Sequence, residues 1–118
     1  MVDLKIRTKD FALQIIRLYS KLPKNNVAQI LGKQMLRSGT SVGANFREAT
    51  RSRSKEEFIS KANISLQELE ETGYWLELIS ESCRCELEEI DAAVKENNEL
   101  TAIFVTIIKN TKRLLAKK

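Results

Sequence analysis

The chain has no histidine, and it contains only one proline, four glycines and two cysteines among its 118 residues. Histidine is the commonest general base and the usual activator of a serine or cysteine nucleophile, so its absence argues against those enzyme mechanisms. Cys83 and Cys85 supply only two metal ligands, and their spacing strains an internal disulfide. The acidic residues lie mostly in runs that are typical of solvated helix faces. We therefore predict a non-enzymatic protein with no catalytic site, no metal site and no cofactor.

Long apolar runs are also missing. No run approaches the ~20 residues that a membrane-spanning helix needs, and the first ten residues, MVDLKIRTKD, are too polar for a signal peptide. We expect a cytoplasmic protein without a membrane segment. The length is sufficient to bury one core without disulfides, which predicts a single domain over residues 1–118.

Four segments of the chain carry apolar residues at helical spacing. Because short connections between long helices make neighbours antiparallel, the pattern predicts an all-α, up-down-up-down four-helix bundle. The predicted helices run from about Lys9 to Leu22, from Asn25 or Asn26 to about Arg51, from the capping box Ser54–Glu57 onward, and from about Glu86–Glu88 onward.

Helix 2 keeps its apolar period across two glycines, Gly39 and Gly43. A glycine inside a helix costs roughly 0.8–1.0 kcal/mol relative to alanine. We therefore expect a neighbouring helix to approach closely at these two positions.

Helices 1, 3 and 4 each carry a stripe that predicts the core. The stripes are Phe11, Ile15, Leu18 and Leu22; Phe58, Ala62, Ser65, Leu69, Thr72, Leu76 and Ile79; and Leu87, Ile90, Val94, Thr101, Phe104, Ile108 and Leu115.

Helices 3 and 4 have more apolar surface than these stripes provide. Monomers rarely leave large contiguous apolar patches in water, so we interpret the surplus as an oligomer interface. The alternative is a broad apolar face that helix 1 partly covers. The predicted interface residues are Ile59, Leu66, Tyr74, Leu78, Leu100, Ile103, Ile107 and Leu114.

Charge is distributed unevenly along the chain. Residues 1–61 contain 13 Lys and Arg against 5 Asp and Glu, a net charge of +8, whereas residues 62–118 contain 7 against 11, a net charge of −4. In an up-down bundle the basic residues, with Lys5, Arg7 and Lys9 among them, gather at one end. A positive end attracts phosphate backbones, and the scarcity of aromatic residues near it predicts sequence-independent binding. The predicted nucleic-acid-binding residues are Arg47, Arg51, Arg53, Lys55, Lys61, Lys109, Lys112 and Arg113.

Helix 2 also carries a polar ladder, because Arg37, Ser41 and Asn45 recur every four residues. Buried polar groups must be paired, so we interpret the ladder as an internal structural clamp and not as a catalytic site. The clamp also includes Glu48, and Glu68 on helix 3 is the expected partner of Arg37.

The chain resembles a known family at these positions. The matching residues are Arg37, Ser41, Asn45 and Glu48, the Arg/Ser turn that follows, LKIRTKDFALQIIRLYSKLP near the start and KEEFISKANISLQELEETGYWLELI on helix 3. They resemble the bacterial four-helix-bundle proteins encoded in intervening sequences of 23S ribosomal RNA genes. The chain departs from that pattern at Val42 and Ala49, where the family commonly has a proline and a glycine.

The resemblance implies a homopentameric ring. It also implies a similarity to the accessory proteins of diversity-generating retroelements, which bind a reverse transcriptase and nucleic acid. Two functions remain open at this point. One is an adaptor whose basic end holds RNA or DNA for a partner enzyme; the other is a protein-interaction scaffold whose basic end is only a solvated surface.

Overall fold

The computed structural model describes residues 3–83 and 87–117. These residues form four α-helices and no β-strand, which confirms the all-α, four-helix prediction. Cys85 of the cysteine pair, the earliest predicted start of helix 4 at Glu86, and Lys118 lie outside the described residues. The helices are α1 (Leu4–Lys21), α2 (Asn26–Ala49), α3 (Lys55–Ser82) and α4 (Glu88–Ala116).

Side-chain caps fix the starts of three helices. Asn25 accepts a hydrogen bond from the backbone N–H of Ala28, and Ser54 accepts one from the N–H of Glu57, so both residues are confirmed as N-caps. The second bond of the predicted capping box differs, because the Glu57 carboxylate accepts from the N–H of Arg53 and not from that of Ser54. Asp3 caps α1 in the same way, so that helix begins before the predicted Lys9.

α1 and α2 run antiparallel and meet at the glycines of α2. A Cβ atom on Gly39 would lie 2.9 Å from Cγ1 of Ile15, and one on Gly43 would lie 3.1 Å from Oγ1 of Thr8. The expected close approach of a neighbouring helix at both glycines is therefore confirmed.

Buried hydroxyl groups join α2 to α3. The Thr72 hydroxyl hydrogen-bonds to that of Ser38 at 2.8 Å, and the Ser65 hydroxyl donates to the carbonyl of Val42 at 2.9 Å. Because these pairs step in opposite directions along the two helices, α2 and α3 are also antiparallel.

The core follows the predicted stripes in α1 and largely in α3. All four stripe residues of helix 1 are buried, and the stripe of helix 3 is buried from Ala62 to Ile79. Phe58, at the start of that stripe, is only half-buried.

α4 buries a set that differs from its predicted stripe. Leu100 is fully buried, so its assignment to an oligomer interface is wrong, while Val94 and Thr101 are half-buried at the edge of the core. The predicted stripe differs from the buried set because a polar residue, Asn97, occupies a core position. Its amide donates to the carbonyl of Leu69 at 3.0 Å. The buried residues of α4 are Ile90, Ala93, Asn97, Leu100, Phe104 and Ile108.

The helices differ in length, and this difference shapes one end of the molecule. α1 has 18 residues and α4 has 29. Arg7, near the start of α1, contacts Glu96 and Glu99 in the first half of α4, so α4 continues well beyond α1. The far end is built by α2, α3 and α4 alone. We call residues 47–61 and 105–117 the three-helix end.

Candidate nucleic-acid interface

The three-helix end brings together the basic residues that the charge pattern singled out. The last turn of α2 and the turn after it carry Arg47, Arg51 and Arg53, α3 begins with Lys55, and the last turns of α4 carry three more cations. All seven side chains are exposed, and none forms an ion pair with a described residue. The three cations of α4 are Lys109, Lys112 and Arg113.

Lys61 differs from these seven residues. Its ammonium lies 3.5 Å from a carboxylate oxygen of Glu48, and its side chain is about one-third exposed. Part of its charge is therefore compensated locally, and Glu48 serves this pair instead of the Arg37 ladder.

Arg7 does not add a free charge to the basic end, contrary to the sequence-based expectation. Its Nε and Nη2 donate to the two carboxylate oxygens of Glu96 at 2.8 and 2.7 Å, and Nη2 also reaches Glu99 at 3.0 Å. The hydrogen bond to Glu96 raises the pKa of Arg7 above its ordinary value. The guanidinium is thus a permanent cation that is neutralised by α4.

The turn between α2 and α3 is held by its own backbone. The N–H of Arg51 donates to the carbonyl of Glu48, and that of Ser52 donates to Ala49, both at 3.1 Å. Because the backbone is fixed between this turn and the cap of α3, the basic side chains of the turn start from a defined position.

The last turns of α4 separate two concave surfaces. The first, of about 480 Å³, is an apolar groove between α3 and α4 that we call the outer groove. The second, of about 490 Å³, lies between α4 and the α2–α3 turn, and we call it the turn cavity. The outer groove is lined by Asn63, Leu66, Val105, Ile108, Lys109, Lys112, Arg113 and Ala116. The turn cavity is lined by Ala49, Thr50, Ser52, Arg53, Ser54, Lys55, Phe58, Thr111 and Leu114.

The turn cavity combines three kinds of chemistry. Phe58 and Leu114 supply apolar surface, and Arg53 and Lys55 supply positive charge. The hydroxyl of Ser52 is buried and has no hydrogen-bond partner among the described residues. The sequence pattern assigned Phe58 to the core and did not reveal this aromatic ring beside the cations.

The predicted clamp lies at the surface and is not internal. Arg37 contacts Glu68 at 3.4 Å and also pairs with Glu71, but half of its side chain is exposed. Ser41 and Asn45 each donate to the backbone carbonyl four residues earlier in α2, at 2.8 and 2.9 Å. The predicted Arg37–Glu68 pair is therefore present, whereas the buried polar links between these helices are made by hydroxyl groups that the ladder does not include.

The remaining predicted interface residues lie at or near the surface. Tyr74 is 55% exposed and Leu114 is 53% exposed. Ile59, Leu66, Leu78, Ile103 and Ile107 are half-buried. Other apolar side chains, such as Ile30 at 63%, are exposed as well.

At the opposite end of the molecule, Lys21 pairs with Glu89. The hydrogen bond from Lys21 lowers the pKa of Glu89 below its ordinary value. Because the folded pKa lies below the unfolded one, this pair stabilises the fold above the unfolded pKa. Its contribution is lost as the pH falls through the folded pKa.

Two further observations concern metal binding and membrane spanning. Within residues 3–83 and 87–117, no group of three or more His, Cys, Asp or Glu side chains is placed to hold a metal ion. Across the same part of the chain, no helix has the length and apolarity that crossing a membrane requires.

The fold and this surface define a small all-α protein with four antiparallel helices and a cationic three-helix end. Residues 3–106 match the family model of the 23S rRNA-intervening sequence proteins. The chain belongs to that family, as its sequence resemblance indicated. Lys109, Lys112 and Arg113 lie beyond the matched range.

A similar structure has been solved for a protein of unknown function from Bacteroides thetaiotaomicron, described as a member of the S23 ribosomal protein family. It is 38% identical to this chain with a TM-score of 0.82, and the match covers 91% of this chain and 99% of that one. No curated protein sequence matches the chain. The similarity to accessory proteins of diversity-generating retroelements stays a prediction.

Proposed function

We propose that the protein is a non-enzymatic adaptor that binds the phosphate backbone of RNA or DNA through its three-helix end. The observation that carries this proposal is the set of seven exposed cations there that form no ion pair with a described residue. Exposed cations that outnumber the nearby carboxylates create a field that attracts polyanions, and each neutralised phosphate releases condensed counterions. Arg47, Arg51 and Arg53 lie on the last turn of α2 and the turn after it, and they form the centre of the proposed surface.

The proposal includes self-association. Exposed apolar side chains such as Tyr74 and Ile30 favour a contact with further copies of the chain. A homopentameric ring, which the family resemblance implies, would repeat the cationic end five times around one axis and strengthen its field. A reverse transcriptase is the protein partner that the same resemblance suggests.

The test is the salt dependence of binding, measured by fluorescence anisotropy with a labelled RNA of mixed sequence and with a labelled DNA duplex. We expect the logarithm of the binding constant to fall linearly with the logarithm of the salt concentration, by about 0.7–0.9 for each phosphate contacted. Replacing Arg47, Arg51 and Arg53 together by Glu should weaken binding on every sequence by a similar factor and flatten the slope.

The matched control makes the same change of charge elsewhere. Arg17, Lys24 and Lys33 are exposed and lie outside the three-helix end. Replacing these three residues by Glu should affect binding much less than the first set. Equal losses for both triple variants would mean that net charge alone attracts the nucleic acid, and the localised surface would be rejected.

A second candidate is a protein-interaction scaffold without nucleic-acid contact. The exposed apolar residues away from the basic end, Val27 and Ile30 among them, favour it. The absence of salt-sensitive binding by the wild-type protein, even at low ionic strength, would support this candidate and reject the adaptor.

A further inference from the structure

The turn cavity has a composition that a surface for duplex backbone does not need. A duplex presents phosphates outward and keeps its bases stacked inside, so cations alone suffice to bind it. Here an aromatic ring, Phe58, and an aliphatic side chain, Leu114, lie in the same cavity as Arg53 and Lys55. The volume of about 490 Å³ is within the range of small-ligand pockets.

We propose that the turn cavity holds one unstacked nucleotide of a single-stranded nucleic acid, with the base against Phe58 and the phosphate at Arg53 and Lys55. This inference rests on the proposed function and specifies its ligand as single-stranded. It adds a site that recognises the face of a base without reading its edge.

Each part of the cavity has a role in this arrangement. Every base has a π face, so stacking on an aromatic ring tolerates all sequences and adds affinity only where a base is free of its neighbours. Phe58 lies one helical turn after Ser54, so the same first turn of α3 supplies both the ring and the cation Lys55. Leu114 comes from α4 and lines the cavity from a different helix.

Ser52 supplies a further polar group at this site. Its hydroxyl is without a partner among the described residues, although most buried hydroxyl groups in proteins are hydrogen-bonded. A phosphate or ribose oxygen of the bound nucleotide would accept this hydrogen bond after a rotation of the serine side chain.

The experiment compares a single-stranded oligonucleotide with a duplex of the same length and sequence, at the same low ionic strength. We expect the wild-type protein to bind the single strand more tightly. Phe58→Leu keeps an apolar side chain of similar volume but removes the aromatic face, and it should weaken single-strand binding about fivefold or more while changing duplex binding less than about twofold. Phe58→Tyr keeps the ring and should retain the preference.

Phe46→Leu is the matched control. Phe46 is also an aromatic residue near this end, but it is buried and packs edge-on against Phe104 with ring centroids 5.4 Å apart. Phe46→Leu therefore shows how the loss of a buried aromatic ring affects folding without changing the turn cavity. We expect circular dichroism to show folded protein for both leucine variants and binding to change only for Phe58→Leu.

A second readout locates the base directly. Irradiation of the complex with an oligonucleotide that contains 5-iodouridine crosslinks the base to a nearby aromatic residue. Trypsin cleaves after Lys55 and Lys61, which isolates Phe58 as the one aromatic residue of the peptide EEFISK. We expect mass spectrometry to find the adduct on this peptide.

The outcomes separate this inference from the proposed function. Salt-sensitive binding with equal affinity for single strand and duplex, and no effect of Phe58→Leu, would overturn the nucleotide site and leave the adaptor intact. No binding to either nucleic acid at low ionic strength would overturn both. A single-strand preference that is lost in Phe58→Leu and kept in Phe58→Tyr would support both.

Discussion

At the scale of single residues, the structure shows that the same residue type serves different purposes at different places. Arg7 is largely enclosed by carboxylates, whereas Arg51 and Arg53 project from a turn without an ion pair to a described residue. The difference depends on Glu96, which is 89 positions away from Arg7 in the chain. Charge counting along the sequence cannot detect such a pair, and it therefore overestimates the free charge of the basic end.

Replacing Arg7 by Ala should lower the free energy of unfolding by about 1–2 kcal/mol, because two charge-assisted hydrogen bonds to Glu96 are lost and Glu99 loses its partner. Arg7→Lys should recover only part of the loss, since an ammonium cannot reproduce the bidentate geometry. Urea denaturation followed by circular dichroism measures the difference. Lys9→Ala, at an exposed position of the same helix, should have little effect, and a loss equal to that of Arg7→Ala would reject the bridge.

At the scale of the helices, the contact between α1 and α2 depends on the absence of side chains on one face of α2. Gly32, Gly39 and Gly43 are all buried, and all three face α1. Glycine lowers the helix propensity of α2 at these positions, but it allows the backbone of α1 to approach closely.

We expect Gly39→Ala to lower the free energy of unfolding by about 1–2 kcal/mol, even though alanine is the better helix former. The new Cβ would lie 2.9–3.3 Å from Cγ1, Cγ2 and Cβ of Ile15. Because a β-branched side chain has a restricted χ1 in a helix, relief of this contact requires a movement of α1. In Gly32→Ala the atoms in the way belong to the ends of the Leu22 and Tyr19 side chains, so the loss should be smaller. Thermal unfolding of both variants tests this order, and the reverse order would contradict the explanation.

The helices also show which features of the fold are readable from the sequence. Local residue types and spacing predict the caps Asn25 and Ser54, the glycine contact, and the helix-1 stripe from Phe11 to Leu22. The structure confirms them. The buried residues at the centre of α4 cannot be predicted in this way. Asn97 occupies a core position, and a polar residue there interrupts the apolar spacing of the helix.

The candidate site could also be predicted only in part from the sequence. The exposed cations of the turn were identified from charge alone, since exposure follows from the position of the turn at the end of the bundle. The sequence pattern does not predict the turn cavity, because Arg53 precedes α3, Lys55 and Phe58 come from its first turn, and the opposite wall comes from α4. Only the packing of the three helices shows that these residues share one cavity.

At the scale of the whole molecule, an elongated body of 54 × 22 × 19 Å has a cationic end and exposed apolar side chains that lie mostly outside that end. Leu100 and Tyr74 show why exposed apolar residues must be distinguished from core residues before an interface is tested by mutation. The sequence pattern places both residues in one interface, yet Leu100 is fully buried and Tyr74 is 55% exposed.

Leu100→Glu should prevent folding of the protomer, because it places a charge in a core position without a partner. Tyr74→Glu should leave the helical circular-dichroism signal unchanged and, if Tyr74 lies in the proposed contact between copies, reduce the mass measured by light scattering to that of one 13.5 kDa chain. Lys95→Glu, a surface change on α4, should alter neither. A wild-type protein that is already monomeric at micromolar concentration would reject the proposed self-association.

The short length of α1 has a consequence for the dynamics of the basic end. Where α1 is present, an amide of α4 exchanges its hydrogen with solvent only when most of the bundle opens, whereas the turns beyond α1 have fewer neighbours and open locally at a lower free energy. Amide exchange should therefore be slow around Leu100 and become faster toward Leu115. The last turns of α4, which carry Lys109, Lys112 and Arg113, can thus open locally while the rest of the bundle stays closed.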